Sequence, residues 1–84
     1  MYRLQIASDI PRDGLGLELL DDAGVIAEVF RADSDHTVTV NVFRNETPLD
    51  VFEEFIRQAR TQLDPFEDGT RLDVARNFGR FRPE

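Results

Sequence analysis

The sequence predicts an α+β domain, a four-stranded antiparallel meander with one helix packed on one face (ββββα). Three observations lead to it. Four short segments between residues 2 and 43 alternate apolar and polar side chains with the period of a strand. The connections between them are short and rich in Asp, Ser and Gly, as tight turns between antiparallel strands require. After Thr47 the period changes, once only, to that of an amphipathic helix.

The first strand is predicted over residues 2–7, with Tyr2, Leu4 and Ile6 on one face and Arg3 and Gln5 on the other. Residues 8–14 are turn-rich, and Leu15, Leu17 and Leu19 then alternate in the second strand. Asp21-Asp22-Ala23-Gly24 reads as a hairpin turn in which Gly24 supplies a positive φ. Residues 25–31 form the third strand and residues 32–36 a loop without glycine. The fourth strand covers residues 37–43, where Val38, Val40 and Val42 alternate with Thr37, Thr39 and Asn41.

Thr47 is the expected N-cap of the helix, with Pro48 at the first helical position and Asp50 completing a variant capping box. Leu49, Phe52, Phe55, Ile56, Ala59 and Leu63 form its apolar stripe, and Glu53 is placed to pair with Arg57. Pro65 stops the helix near Leu63 or Asp64. A turn at residues 65–69 leads to a short edge strand at residues 70–74 and an irregular tail with two aromatic anchors. Residues 1–70 are thus expected to form the domain, and residues 71–84 a tail or edge segment.

A chain of 84 residues makes one small domain that buries roughly 60–65% of its unfolded surface. Little room remains for a deep substrate pocket. The absence of cysteine excludes disulfides, thiolate metal sites and a thiol nucleophile. Residues 1–5 lack the features of a signal peptide, and no segment approaches the ~18 apolar residues of a membrane span. The expected compartment is the cytoplasm. The formal net charge is −7; residues 1–70 hold fifteen acids and six arginines, whereas residues 71–84 hold four arginines and two acids. Such a body repels phosphate and attracts basic protein surfaces.

A meander brings its first and third connections to one end of the sheet, which gathers Asp9, Asp13, Asp33, Asp35 and His36. Their spacing fits no EF-hand, and Asp and Ser in turns hydrogen-bond their own backbone. His36, the single histidine, is oriented at best by Asp33 or Asp35, with no nucleophile-elbow serine in the chain. Gly14-Leu15-Gly16 precedes a strand rather than a helix, so it is not a phosphate loop. No catalytic, cofactor or metal residue is predicted, and the chain is expected not to be an enzyme. The segment from Arg76 to Arg82 interleaves cations and aromatics as a single-strand stacking site does, which makes weak nucleic-acid binding an alternative.

One helix covers one face of a sheet. If Ala27 and Val29 lie beside Leu19 and Leu17, the reverse face carries Leu20, Ile26, Phe30 and Phe43 among Glu18 and Glu28. Either the C-terminal segment folds over that face with Leu72, Val74, Phe78 and Phe81, or the face receives a partner or a second copy, or the strand register differs from this one. In the second case Glu18, Ile26, Glu28 and Phe30 are the anchors, while Asp9, Asp33 and Asp35 steer the encounter.

The stretches Gly14-Leu15-Gly16-Leu17-Glu18-Leu19-Leu20, Ala27-Glu28-Val29-Phe30-Arg31 and Thr47-Pro48-Leu49-Asp50 resemble short uncharacterised bacterial proteins, a resemblance that implies no activity. In size, charge and lack of cysteine the chain is similar to immunity proteins, antitoxins and anti-CRISPR inhibitors. That similarity implies a small acidic protein-binding module, a stoichiometric inhibitor or immunity-type factor acting on a basic protein surface. A structural homodimer, joined through the exposed sheet face or an edge strand, is the alternative.

Overall fold

The computed structural model describes residues 1–79 and Phe81; Arg80 and Arg82 of the basic-aromatic tail lie outside the described residues, with Pro83 and Glu84. The elements are β1 (Arg3–Asp9), β2 (Gly14–Asp21), β3 (Gly24–Ala32), β4 (Thr37–Val42), α1 (Leu49–Gln62) and a 3-10 turn at Leu72–Val74. The strands form one antiparallel sheet in the order β1-β2-β3-β4, the expected meander. Between β2 and β3 the Asp21 carboxylate accepts the Ala23 N–H at 2.9 Å, and Gly24 takes φ 123°. The other two hairpins manage without glycine, turning at Asp13 (φ 52°) and His36 (φ 55°).

The main core lies between the sheet and α1. Leu17 and Leu19 of β2 and Ala27 and Val29 of β3 meet Phe55, Ala59 and Leu63, three residues on one stripe of the helix. The stripe starts later than expected, since Leu49 is exposed. The Thr47–Asp50 capping box does not form either. Pro48 itself holds the cap position, its C=O accepting the Phe52 N–H, and Asp50 bonds the adjacent Val51 N–H. With the helix starting at Leu49, Thr47 lies one residue too early to reach the free amides of the first turn. Arg57 pairs with Glu54 instead of Glu53.

The helix ends before Pro65 as expected, and its exit is tied to the sheet. Arg31 of β3 donates to the carbonyls of Leu63 and Pro65 at 3.0 and 2.8 Å. Residues 70–74 are not an edge strand. The Asp64 carboxylate takes the Leu72 N–H at 2.8 Å, the segment closes into the 3-10 turn, and Leu72 and Ala75 enter the core beside α1. The core therefore extends past residue 70. Beyond it, the Asn77 side chain accepts the Val38 N–H at 2.9 Å and donates to the Val38 C=O at 2.8 Å. This one amide stands where a fifth strand would begin. No helix among the described residues is long and apolar enough to cross a membrane.

Candidate functional site

The reverse face of the sheet is organised by the two glycines of β2. Gly16 stands opposite Phe30 in the β2–β3 register. Without Cβ atoms in the way, the Phe30 ring lies down over the strand: a Cβ on Gly14 would come 2.5 Å from Phe30 Cζ. Arg12, from the β1–β2 loop, covers this ring with its guanidinium carbon 3.9 Å from the centroid. The same guanidinium donates to both carboxylate oxygens of Glu28, at 3.2 and 2.9 Å, and through Nε to Asp9. Asn41 Nδ2 donates to Glu28 as well, at 3.2 Å.

Phe30 is consequently 4% exposed and Glu28 7%, which corrects the expectation that they are surface anchors. Ile26 requires the same correction for a different reason. Leu19 does pair with Ala27 and Leu17 with Val29, but a β-bulge at Leu19–Leu20 leaves Ile26 without a partner in the register. The bulge breaks the in–out alternation, so Ile26 joins the helix-side core at 3% exposure. The C-terminal segment is not the cover: Leu72 packs on the helix side and Val74 is exposed. Glu18, half-buried, accepts a hydrogen bond from Gln5 at 3.1 Å, and Phe43 is exposed at the end of β4.

The Arg12 clamp makes an acid-dependent contribution to stability. Its hydrogen bonds hold the Glu28 and Asp9 carboxyls below their ordinary values. Unfolded Glu and Asp titrate near about 4.3 and 3.9, so this stabilisation is complete above those values and is lost as pH falls through the lowered folded values. Thermal melts followed by circular dichroism should hold their midpoint down to about pH 5 and fall below it. Glu28→Gln should remove the clamp's share of that acid limb and leave the share of Asp21, Glu54, Asp64 and Asp68, whose partners also hold them low; a limb wholly unchanged would show that Glu28 contributes nothing to it.

The first and third connections do meet at one end of the sheet. The Asp33 N–H donates to the Asp13 C=O at 2.9 Å, and the Asp33 carboxylate accepts the Glu67 N–H at 2.9 Å. Asp9, Asp13, Asp33, Arg31 and Glu67 line a hollow of about 240 Å³ there. Asp9 and Asp33 are engaged with Arg12 and Arg31. Asp35 is exposed, and among the described residues its side chain bonds the Thr37 hydroxyl alone, 2.8 Å away. His36 Nε2 lies 2.7 Å from Asp68 rather than against Asp33 or Asp35, and its ring sits 4.9 Å from that of Phe66. No group of three metal-binding side chains occurs among the described residues.

Helix α1 lies over the middle strands and leaves a trough on either side. One, of about 380 Å³, is lined by Leu4, Leu19, Val51 and Phe55 beneath Tyr2 and Arg3. The other, of about 120 Å³, runs between Val38 and Val40 of β4 and Ile56 and Phe78.

Sequence reasoning missed Arg12, Glu67, Asp68 and Asn77. Only Arg12 had a local signal, since two glycines spaced to one strand face opposite a phenylalanine imply a ring lying on the backbone and in need of a lid. The fold and these surfaces define a small α+β domain with a closed reverse face. Compared with protein-family models, curated proteins and solved structures, the chain matches none.

Proposed function

We propose that this chain is a small acidic protein-binding module that docks on a basic surface of another protein, as a stoichiometric inhibitor or immunity-type factor does. The observation that carries the reading is the internal use of the cations. Arg12, Arg31, Arg44, Arg57 and Arg71 all pair with carboxylates of the chain itself. Asp13, Asp35 and Glu67, exposed at one end of the sheet, have no cationic partner among the described residues. Against these three acids stands one exposed guanidinium without a carboxylate partner among the described residues, that of Arg76, whose N–H bonds the His36 C=O, so the balance at that end is acidic and attracts cationic surfaces. Asp35 keeps the steering role assigned from the sequence, and Asp13 and Glu67 join it. Ile26, Glu28 and Phe30 take no part. The role is non-enzymatic, and the cytoplasm is the compartment that goes with it.

Charge-led docking has a kinetic signature. With a partner captured from the native host, the association rate should fall at least about tenfold between roughly 0.05 and 0.5 M salt. Asp35→Asn combined with Glu67→Gln should slow association and leave dissociation nearly unchanged. A rate indifferent to salt would exclude the reading.

A further inference from the structure

The outer edge of β4 divides into a closed half and an open half. At Val38 both backbone groups point outward, because both are taken by Asn77. Strand backbone groups alternate in direction, so Thr39 and Asn41 point inward to β3, as does Phe43, whose N–H donates to Ile26 O at 2.8 Å. Val40 and Val42 point outward, and nothing among the described residues pairs with their backbone groups.

Natural edges are blunted by charge, proline or a bulge. This one carries none of them: Thr37–Val42 is TVTVNV, uncharged and almost wholly β-branched. The opposite edge, β1, carries Arg3 and Asp9. Exposed apolar side chains also gather on the open half, with Val40 at 46%, Val42 at 57% and Phe43 at 60%.

We propose that the open half of β4 pairs with β4 of a second copy of this chain, antiparallel, about a two-fold axis at Asn41. In that register Val40 and Val42 of each copy exchange N–H and C=O bonds with Val42 and Val40 of the other. Val40 and Val42 then meet across the strands on the helix side, while Phe43 meets Thr39 on the reverse side. Pairing stops beyond Thr39 on both copies together, because the Asn77 side chain already fills the next position at Val38.

A second copy is favoured because the edge asks of its occupant what it presents itself: an uncharged, β-branched strand with one free side. No like charges come face to face within the paired strands, although each copy brings a net charge of −7 to the encounter. Salt therefore strengthens this association, the reverse of its effect on a basic partner. The contact is shorter than a standard interface of about 1,600 Å² and belongs with the weak, transient associations.

Sedimentation equilibrium of the full chain from about 10 to 500 μM, at roughly 0.02 and 0.5 M sodium chloride, tests it. The expected result is a monomer–dimer equilibrium that tightens several-fold at high salt. Val42→Pro removes an outward N–H without touching the β3–β4 ladder and should weaken the dimer at least about tenfold while keeping the monomer's circular dichroism. Val40→Lys, which puts a charge into the paired edge, should do the same and serves if the proline variant fails to fold. A strict monomer at the highest concentration in high salt overturns the proposal. So does a dimer that salt weakens, or one that a folded edge variant leaves intact. Asp35→Asn with Glu67→Gln should leave the dimer in place, so failure of the acidic docking surface and failure of this edge are read separately.

Discussion

Replacing Phe30 by alanine is expected to destabilise the protein by about 3–4 kcal/mol, the range for deleting a buried aromatic ring. In a domain of this size that lowers the melting midpoint by roughly 15–25 °C. The ring fills the space over the glycines of β2 and carries the Arg12 guanidinium. Without it, Arg12 retains its carboxylates but loses the surface beneath it. The pair should therefore be coupled: Arg12→Lys should lower the midpoint in the native chain and have less effect when Phe30 is already alanine. A docking anchor on an open face would behave in the opposite way, its removal leaving stability untouched. A melt of Phe30→Ala matching that of the native chain would contradict the burial described above.

Gly14→Ala should cost about 3 kcal/mol, at the upper end of overpacking effects, for a steric reason. An added Cβ would lie 2.1 Å from the Arg31 carbonyl oxygen and 2.5 Å from Phe30 Cζ. The first obstacle is backbone in the adjacent strand, so the β2–β3 pairing must open for the methyl group to fit. Gly16→Ala should be milder, because its nearest obstacle is the end of the Glu28 side chain, 3.1 Å away. Gly79→Ala meets nothing and should be neutral. Denaturant titrations of the three variants should rank in that order. Equal effects at Gly14 and Gly79 would refute the close approach.

The elements were legible because they are local. Val38, Val40 and Val42 alternating with Thr37, Thr39 and Asn41 describe a strand whatever surrounds them, and Pro65 ends a helix from its own ring geometry. Gly24 could be assigned its positive φ for the same reason. The end of the sheet where Asp13, Asp33 and Asp35 gather followed from meander connectivity alone. Local signals also misled. Thr47, Pro48 and Asp50 pointed to a start at Pro48, whereas the helix starts one residue later and leaves the predicted cap out of reach. Residues 70–74 read as a strand until the Asp64 carboxylate took the Leu72 N–H.

The candidate surfaces were much less legible. The alternation in β3 put Ile26 and Phe30 on one face, and a single bulge separated them. Arg12 looked like one more charged loop residue, and Asn77 like part of a tail, yet they close the reverse face and half of an edge. By itself the sequence determined the order, type and periodicity of the elements, together with the acidic character of the body, since these depend on neighbours within a few positions and on simple composition. Only the tertiary structure decided which apolar groups are sealed and which backbone groups stay free. Those outcomes depend on strand register and on side chains such as Asn77 and Val38, thirty-nine residues apart, which become neighbours only once the chain has folded.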